Sequence, residues 1–160
     1  MKQQHKIIFK YRKFIPEDVL DIKKLMTYLE YNKNIENLKR DISLFLSFSL
    51  NRIYVAEHNK EVIGYIAIAA HHLLVTDFFR FRIENLVVSP HYRKKGIAKE
   101  LISLSELHAI SCKASIIDLT SSLKRKGVYT FYEKCGYKND GKEERRYFRK
   151  RLIENEILNA

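Results

Sequence analysis

The spacing of apolar side chains changes period several times along the chain, and each change marks an element. Lys6 to Arg12 is apolar enough for an opening strand. Pro16-Glu17-Asp18 then has the form of a helix start, with proline in the first turn and acidic residues beside the positive end of the helix dipole. Val19, Ile22, Leu25, Met26 and Leu29 follow at helical spacing and predict an amphipathic helix over 16–31. Ile35, Leu38, Ile42, Leu46 and Leu50 line one side of a second helix. From Asn51 the period shortens. Arg52 to Glu57 predicts a strand, His58-Asn59-Lys60 a turn, and Glu61 to Ala70 the antiparallel partner. A longer strand is predicted from Phe78 to Val88, broken by Ser89-Pro90-His91-Tyr92. Ile97, Leu101, Leu104, Leu107 and His108 place a helix over 95–111. A strand at 115–119, a short helix at 124–135 and two strands at 137–140 and 145–152 complete the chain.

The predicted order is therefore β-α-α-β-β-β-α-β-α-β-β, a mixed α/β (α+β) architecture without repeats or linkers. At 160 residues it fits one domain, 1–160, with a sizeable core. A hydrophobic fraction of 46% excludes a disordered chain, and no apolar run approaches the ~20 residues that span a bilayer. The opening Met1-Lys2-Gln3-Gln4-His5-Lys6 leads into a strand-like run and not a signal-peptide core, so a cytoplasmic protein is expected. Cys112 and Cys135 show no metal-ligand spacing and read as free thiols. His71 and His72, adjacent on a strand, point to opposite faces and are poorly placed to share one ion, so no metal is expected. The net charge of +11 favours a polyanionic partner: nucleic acid, anionic lipid or a multiply phosphorylated cofactor.

The densest chemical signal runs from Leu86-Val87-Val88 through Ser89-Pro90-His91-Tyr92 to Arg93-Lys94-Lys95-Gly96-Ile97-Ala98. An apolar strand ends in a turn, and a basic segment with small residues opens a helix. Helix starts carry unpaired N–H groups and about half a positive charge. Gly96 and Ala98 let an anion approach that backbone, and Arg93, Lys94 and Lys95 add charge, so the segment is either a pyrophosphate cradle or a solvated basic helix start. Arg93-x-x-Gly96-x-Ala98 after an apolar strand resembles the (Q/R)-x-x-G-x-(G/A) signature of the GNAT superfamily of N-acetyltransferases. The resemblance implies a GNAT-like twisted, mostly antiparallel sheet flanked by helices. It also implies acetyl-CoA as co-substrate, wedged where two central strands splay. Leu86, Val87 and Val88 would then lie beside pantetheine, and Arg93, Lys94, Lys95, Gly96, Ile97 and Ala98 would cradle the phosphates.

Arg125-Lys126-Gly127-Val128-Tyr129-Thr130-Phe131-Tyr132-Glu133-Lys134-Cys135-Gly136-Tyr137 is similar to the second CoA-side motif of the same family, A-x-x-F-Y-x-x-x-G-(F/Y). Tyr132 takes the place of the tyrosine that protonates the departing thiolate. A thiol of pKa near 8.5 and a phenol near 10 suit that exchange. Val128 replaces the usual alanine. Ser121 and Arg125 match a subset of members with Ser and Arg before the Phe-Tyr pair, and are assigned to the cofactor.

For the general base, Glu84 stands two residues before Leu86 on the same strand, where alternation predicts the same face; a salt bridge to Arg80 or Arg82 competes with that role. Asp118 and Glu57 are weaker candidates. Tyr28, Tyr31, His71, His72 and Phe78 to Phe81 fit an acceptor pocket and core packing equally well. Lys142 to Arg151 holds six basic residues against two Glu around Tyr147-Phe148, the pattern of a charge-protected edge strand or of a nucleic-acid contact. The expected activity is transfer of acetyl to a primary amine by direct attack in a ternary complex. An acyl-CoA-sensing module and an RNA-associated enzyme acting on aminoacyl-tRNA are the alternatives, and free edge strands would suit a homodimer.

Overall fold

The computed structural model describes residues 8–74, 79–121 and 127–138. These fall into two compact units, one running to Leu119 and the other beginning at Thr120. Strand β1 is Lys10–Lys13, followed by a 3-10 turn Pro16–Asp18 and helix α1, Val19–Met26, which is prolonged by a second 3-10 turn, Thr27–Leu29. Helix α2 is Ile35–Ser47, and strands β2 (Arg52–His58), β3 (Glu61–His72) and β4 (Phe79–Val88) follow. A 3-10 turn Pro90–Tyr92 leads to α3, Ile97–Ser111, and β5, Ala114–Leu119, closes the first unit. The second unit contains α4, Val128–Lys134. Of the two expected terminal strands, Tyr137 and Lys138 are described and lie in no strand. The remainder, with Arg125 and the basic segment 142–151, lies outside the described residues, as do the opening strand's first two residues and Phe78.

The five strands form one sheet in sequence order, antiparallel from β1 to β4 and parallel between β4 and β5. Each local choice has a sequence cause. The β2–β3 hairpin turns on Asn59 and Lys60, at φ 50 and 65, the two left-handed positions that suit a two-residue connection between twisted strands. Asn34 caps α2 by accepting the Glu36 N–H at 2.8 Å, a contact of about 1 kcal/mol. Leu50, read as helical from its spacing, falls beyond the helix because Asn51 diverts the chain. The buried Asn51 amide donates to Phe45 O and accepts from Ala70 N–H, both at 2.9 Å, tying the end of α2 to β3.

One face of the sheet is covered by α1 and α2. Val19, Ile22, Leu25, Leu38 and Ile42 pack there on Ile53, Val55, Val62, Tyr65, Ala67 and Val87. The other face takes α3, where Ile97, Leu101 and Ile102 are at most 1% exposed and the rings of Phe81 and His108 meet at 5.6 Å. At the β1 end, Arg12 bridges Glu57 at 2.7 Å and Asp18 at 2.7 and 2.8 Å. Asp18 is only 4% exposed and also accepts the Ile15 N–H. Glu57, weighed as a base from sequence, is committed to this pair. Among the described residues, no helix is long and apolar enough to cross a membrane.

Two measurements follow from this packing. Removing the Arg12 guanidinium leaves a buried carboxylate unpaired, so Arg12→Met is expected to lose about 3 kcal/mol in urea unfolding, with Arg12→Lys recovering part of it. Burial, and secondarily the charge of Tyr31, holds the Tyr65 phenol above its ordinary range. Its stabilising contribution is therefore complete below the unfolded-state pKa of about 10 and is lost as pH rises beyond it. Urea midpoints at pH 9 and pH 11 should show a decline that is smaller in Tyr65→Phe.

Candidate functional site

The site is built on the two edges of β4. Toward β3, the strand is paired from Phe79 to Val88; toward β5, the ladder ends at Ile83 opposite Leu119. Ser89 N–H donates to Ile63 O at 2.8 Å. Antiparallel rungs alternate, so Tyr65–Val87 and Ala67–Asn85 are the hydrogen-bonded rungs, and Gly64–Val88 and Ile66–Leu86 the narrow ones. Residues in narrow rungs direct their backbone groups to the opposite edge. Leu86 and Val88 consequently present N–H and C=O along the stretch that β5 leaves uncovered. Val87, by contrast, is spent on β3 and, through its side chain, on the α1 core. The narrow rung also explains Gly64: a Cβ there would stand 3.0 Å from Val87 O and 3.2 Å from a Val88 methyl.

The alternation fails once. Ile68 pairs with Ile83 but Ala67 pairs with Asn85, leaving Glu84 as the extra residue of a β-bulge. Ile66 and Ile68 share a face, so Leu86 and Ile83 share it too, although they are three positions apart. Glu84 keeps the side of Arg82, whose Nε lies 4.0 Å from its carboxylate. The expectation that Glu84 and Leu86 share a face is thus corrected, because a period of two does not survive a bulge. No glycine or proline marks it in the sequence.

Beyond Val88, the chain makes a 3-10 turn held by Tyr92 N–H on Ser89 O at 2.9 Å. Tyr92 packs its ring on His58 at 5.7 Å and Phe9 at 6.3 Å, a clamp between the turn, the β2–β3 hairpin and the start of β1 that sequence periodicity did not reveal. The Arg93 guanidinium donates back to Val88 O at 3.2 Å, so this basic residue closes the loop against the strand end. Lys94 and Gly96 are both left-handed, at φ 60 and 81. Gly96 caps α3, and the first backbone bond into the helix runs from Glu100 N–H to Gly96 O at 3.1 Å. The N–H groups before Glu100 have no carbonyl within the helix. Ile97 is buried and anchors the helix start, whereas Lys94, Lys95 and Gly96 are exposed and Ala98 is half-buried. A Cβ at Gly96 would meet no described atom within 4 Å. Among the described residues, a backbone edge that β5 leaves unpaired therefore leads directly into an exposed, basic helix start.

The remaining predicted residues divide between the units. Asp118 belongs to the first and sits 3.6 Å from Arg80 and 3.7 Å from Arg82, so the strand-end acid is an ion-pair partner. Ser121, half-buried, and Tyr132 belong to the second. There, Gly136 N–H bonds Glu133 O at 2.9 Å and Tyr137 N–H bonds Tyr132 O at 3.0 Å, with Gly136 at φ 90. This Schellman ending folds Tyr137 back so that its ring meets that of Tyr132 at 5.8 Å. The spacing Phe131-Tyr132-x-x-x-Gly136-Tyr137 thereby acquires a physical reason: the glycine lets one tyrosine support the other.

Comparison with known proteins places these features in context. Residues 49–139 match the family model described as acetyltransferase (GNAT) domain. The aminoalkylphosphonate N-acetyltransferase of Salmonella typhimurium is 31% identical over 84 residues, which are 52% of this chain and 54% of that protein, so the match spans about half the relative's length. Among solved structures, glucosamine-6-phosphate N-acetyltransferase from Arabidopsis thaliana superposes with a TM-score of 0.74 at 22% identity, covering 89% of this chain and 99% of that one. A transcriptional regulator from Bacillus halodurans C-125 gives 0.77 at 18% identity, over 88% and 100%. Both share the fold.

Because the Gly136 conformation is left-handed, Gly136→Ala is expected to cost about 1–2 kcal/mol, and Gly136→Asn less. Near-ultraviolet circular dichroism, with Tyr137→Leu for comparison, should report loosening of the Tyr132–Tyr137 pair in the alanine variant.

Proposed function

The chain belongs to the GNAT acetyltransferase family, and from that premise we propose that it moves an acetyl group from acetyl-CoA to a primary amine, with 1–160 acting as one catalytic domain. The observation that carries this reading is the continuous backbone surface from Leu86 and Val88 to the start of α3. It offers hydrogen-bonding groups to an extended, amide-containing arm and then N–H groups and positive charge to a pyrophosphate. The clear space above Gly96 fits the same ligand. Arg93 holds the loop by its bond to Val88 O, while Lys94 and Lys95 supply charge. Ser121 and Arg125 are assigned further contacts to the cofactor.

In the proposed reaction, the neutral amine attacks the acetyl carbonyl, a C–N bond forms and the C–S bond breaks. The proton shed by the amine passes to Glu84 or through water, and Tyr132 supplies a proton to the sulfur as the thiolate leaves. Holding both reactants together contributes most of the acceleration. Tyr137 acts as a positioning residue through its packing on Tyr132. The Salmonella relative is named for aminoalkylphosphonates, and such compounds belong in the acceptor panel.

The test is thiol release from acetyl-CoA across aminoalkyl compounds, amino sugars, polyamines, peptides and aminoacyl-tRNA. Gly96→Glu should raise KM for acetyl-CoA at least ~10-fold, by filling the space over the loop and opposing the phosphates. Tyr132→Phe should lower kcat by ~100-fold with KM nearly unchanged. Tight acetyl-CoA binding without turnover of any amine would instead identify a sensing module. Turnover confined to aminoacyl-tRNA, with steep salt dependence, would identify an RNA-directed enzyme.

A further inference from the structure

The face of β4 turned away from α3 carries a strip of charged side chains that the reaction above uses at one end only. Phe81 packs toward α3, so Arg80 and Arg82 project to the opposite face, where His71 is Arg80's direct neighbour on β3. Glu84 extends the row at the bulge, and Asp118 joins it from β5. The order along the sheet is His71 and Arg80, then Arg82 with Asp118, then Glu84.

Charge and satisfaction within this row are uneven. Asp118 is shared by both guanidiniums, at 3.6 and 3.7 Å, and each distance is longer than a hydrogen bond. Arg82 also stands 4.0 Å from Glu84, so the row alternates in sign, with a guanidinium at the Arg80 end and a carboxylate at the Glu84 end. Among the described residues, His71 Nε2, Arg80 Nε and Asp118 Oδ1 are shielded from solvent yet have no hydrogen-bond partner. Buried polar atoms are rarely left so, and a group that satisfies them is expected. The strip is nevertheless open: the side chains of Arg80, Asp118 and Glu84 are 37%, 34% and 41% exposed. Helix α1 covers the Val87 end of this face.

We propose that this strip is an acceptor subsite for a zwitterionic amine, in which Glu84 takes the ammonium end and Arg80 with His71 takes an oxyanion at the other end. The assignment rests on the acetyl-transfer reading and narrows its acceptor to aminoalkyl compounds bearing a carboxylate, phosphate or phosphonate. Arg80 and Glu84 are four residues apart, ~13 Å along the strand, a span that long side chains at both ends shorten to the length of a small aminoalkyl acid. An oxyanion accepts from the partly exposed Arg80 guanidinium, with His71 beside it on β3 as the neighbouring ring. A diamine has no such partner, because its second ammonium meets the cationic end.

The test compares 3-aminopropylphosphonate and 4-aminobutanoate with butylamine and 1,4-diaminobutane, in thiol release and in calorimetric binding to the protein. The two anionic amines are expected to exceed the others at least 10-fold in kcat/KM, and their ratio shows which oxyanion is preferred. Arg80→Gln should raise KM for both by ~10-fold, leave kcat and the butylamine kinetics unchanged, and be partly rescued by Arg80→Lys. Equal or better use of butylamine or diaminobutane, or an equal loss on all four amines in Arg80→Gln, overturns the subsite while leaving acetyl transfer intact. If no amine releases thiol, acetyl transfer fails and calorimetry decides the subsite separately. Binding of 3-aminopropylphosphonate that Arg80→Gln weakens supports it, and absence of binding overturns it.

Discussion

Everything at the site depends on β4 being paired along one edge for its whole length and along the other for only half of it. Antiparallel pairing with β3 fixes the strand from Phe79 to Val88, whereas parallel pairing with β5 stops at Ile83. A strand held on one side cannot fray, yet its other side remains available. Among the described strands none pairs with this edge of Leu86 and Val88, a state otherwise costly in the middle of a sheet, and there Val88 O accepts from Arg93. Gly64 suits this arrangement, because a Cβ there would crowd Val87 O at 3.0 Å on the narrow rung beside it.

The bulge then divides the strand into two registers with different tasks. Before it, Phe81 and Ile83 turn into the α3 side of the core while Arg80 and Arg82 face away. After it, Val87 joins the α1 core and Leu86 returns to the α3 side. One inserted residue lets β4 fill both cores and still direct a row of charges to the face opposite α3. Without Glu84 as the extra residue, continued alternation would turn Leu86 to the face of Arg82, and the buried Val87 would change sides as well.

The elements themselves were legible because periodicity and packing agree. The apolar rows of α1 and α2 are buried or half-buried, whereas in α3 Ile97 and Leu101 are buried and Leu107 of the predicted row is exposed. The Asn59-Lys60 turn sits where two alternating segments meet. Leu50 misled because its spacing continues the α2 row past the point where Asn51, through two side-chain hydrogen bonds, ends it. The helix start was legible from Arg93, Gly96 and Ala98, since a left-handed cap is local. The face of Glu84 was not: a bulge of ordinary residues is decided by the pairing of two strands and leaves no local mark. The clamp of Phe9, His58 and Tyr92 escaped for a similar reason, as its members come from three segments far apart in sequence. Asp118 and Glu57 are acids at strand ends in sequence, and only the register identifies their arginine partners.

Where the backbone is strained gives a last indication of purpose. Left-handed residues at Glu30, Asn59, Lys60 and Lys113 each sit where an element ends and the chain must reverse or change course. Gly96 likewise begins α3, but Lys94 stands between the Pro90–Tyr92 turn and that helix, two residues earlier, at φ 60. A lysine in this conformation costs about 1 kcal/mol or more. A Cβ at Gly96 would meet no described atom within 4 Å, so the curl between the two residues leaves space over the loop. What it does accomplish is to expose the first N–H groups of α3 at the foot of the open β4 edge. A left-handed loop at the start of a helix flanked by Arg93, Lys94 and Lys95 is the geometry that the proposed anion cradle would use.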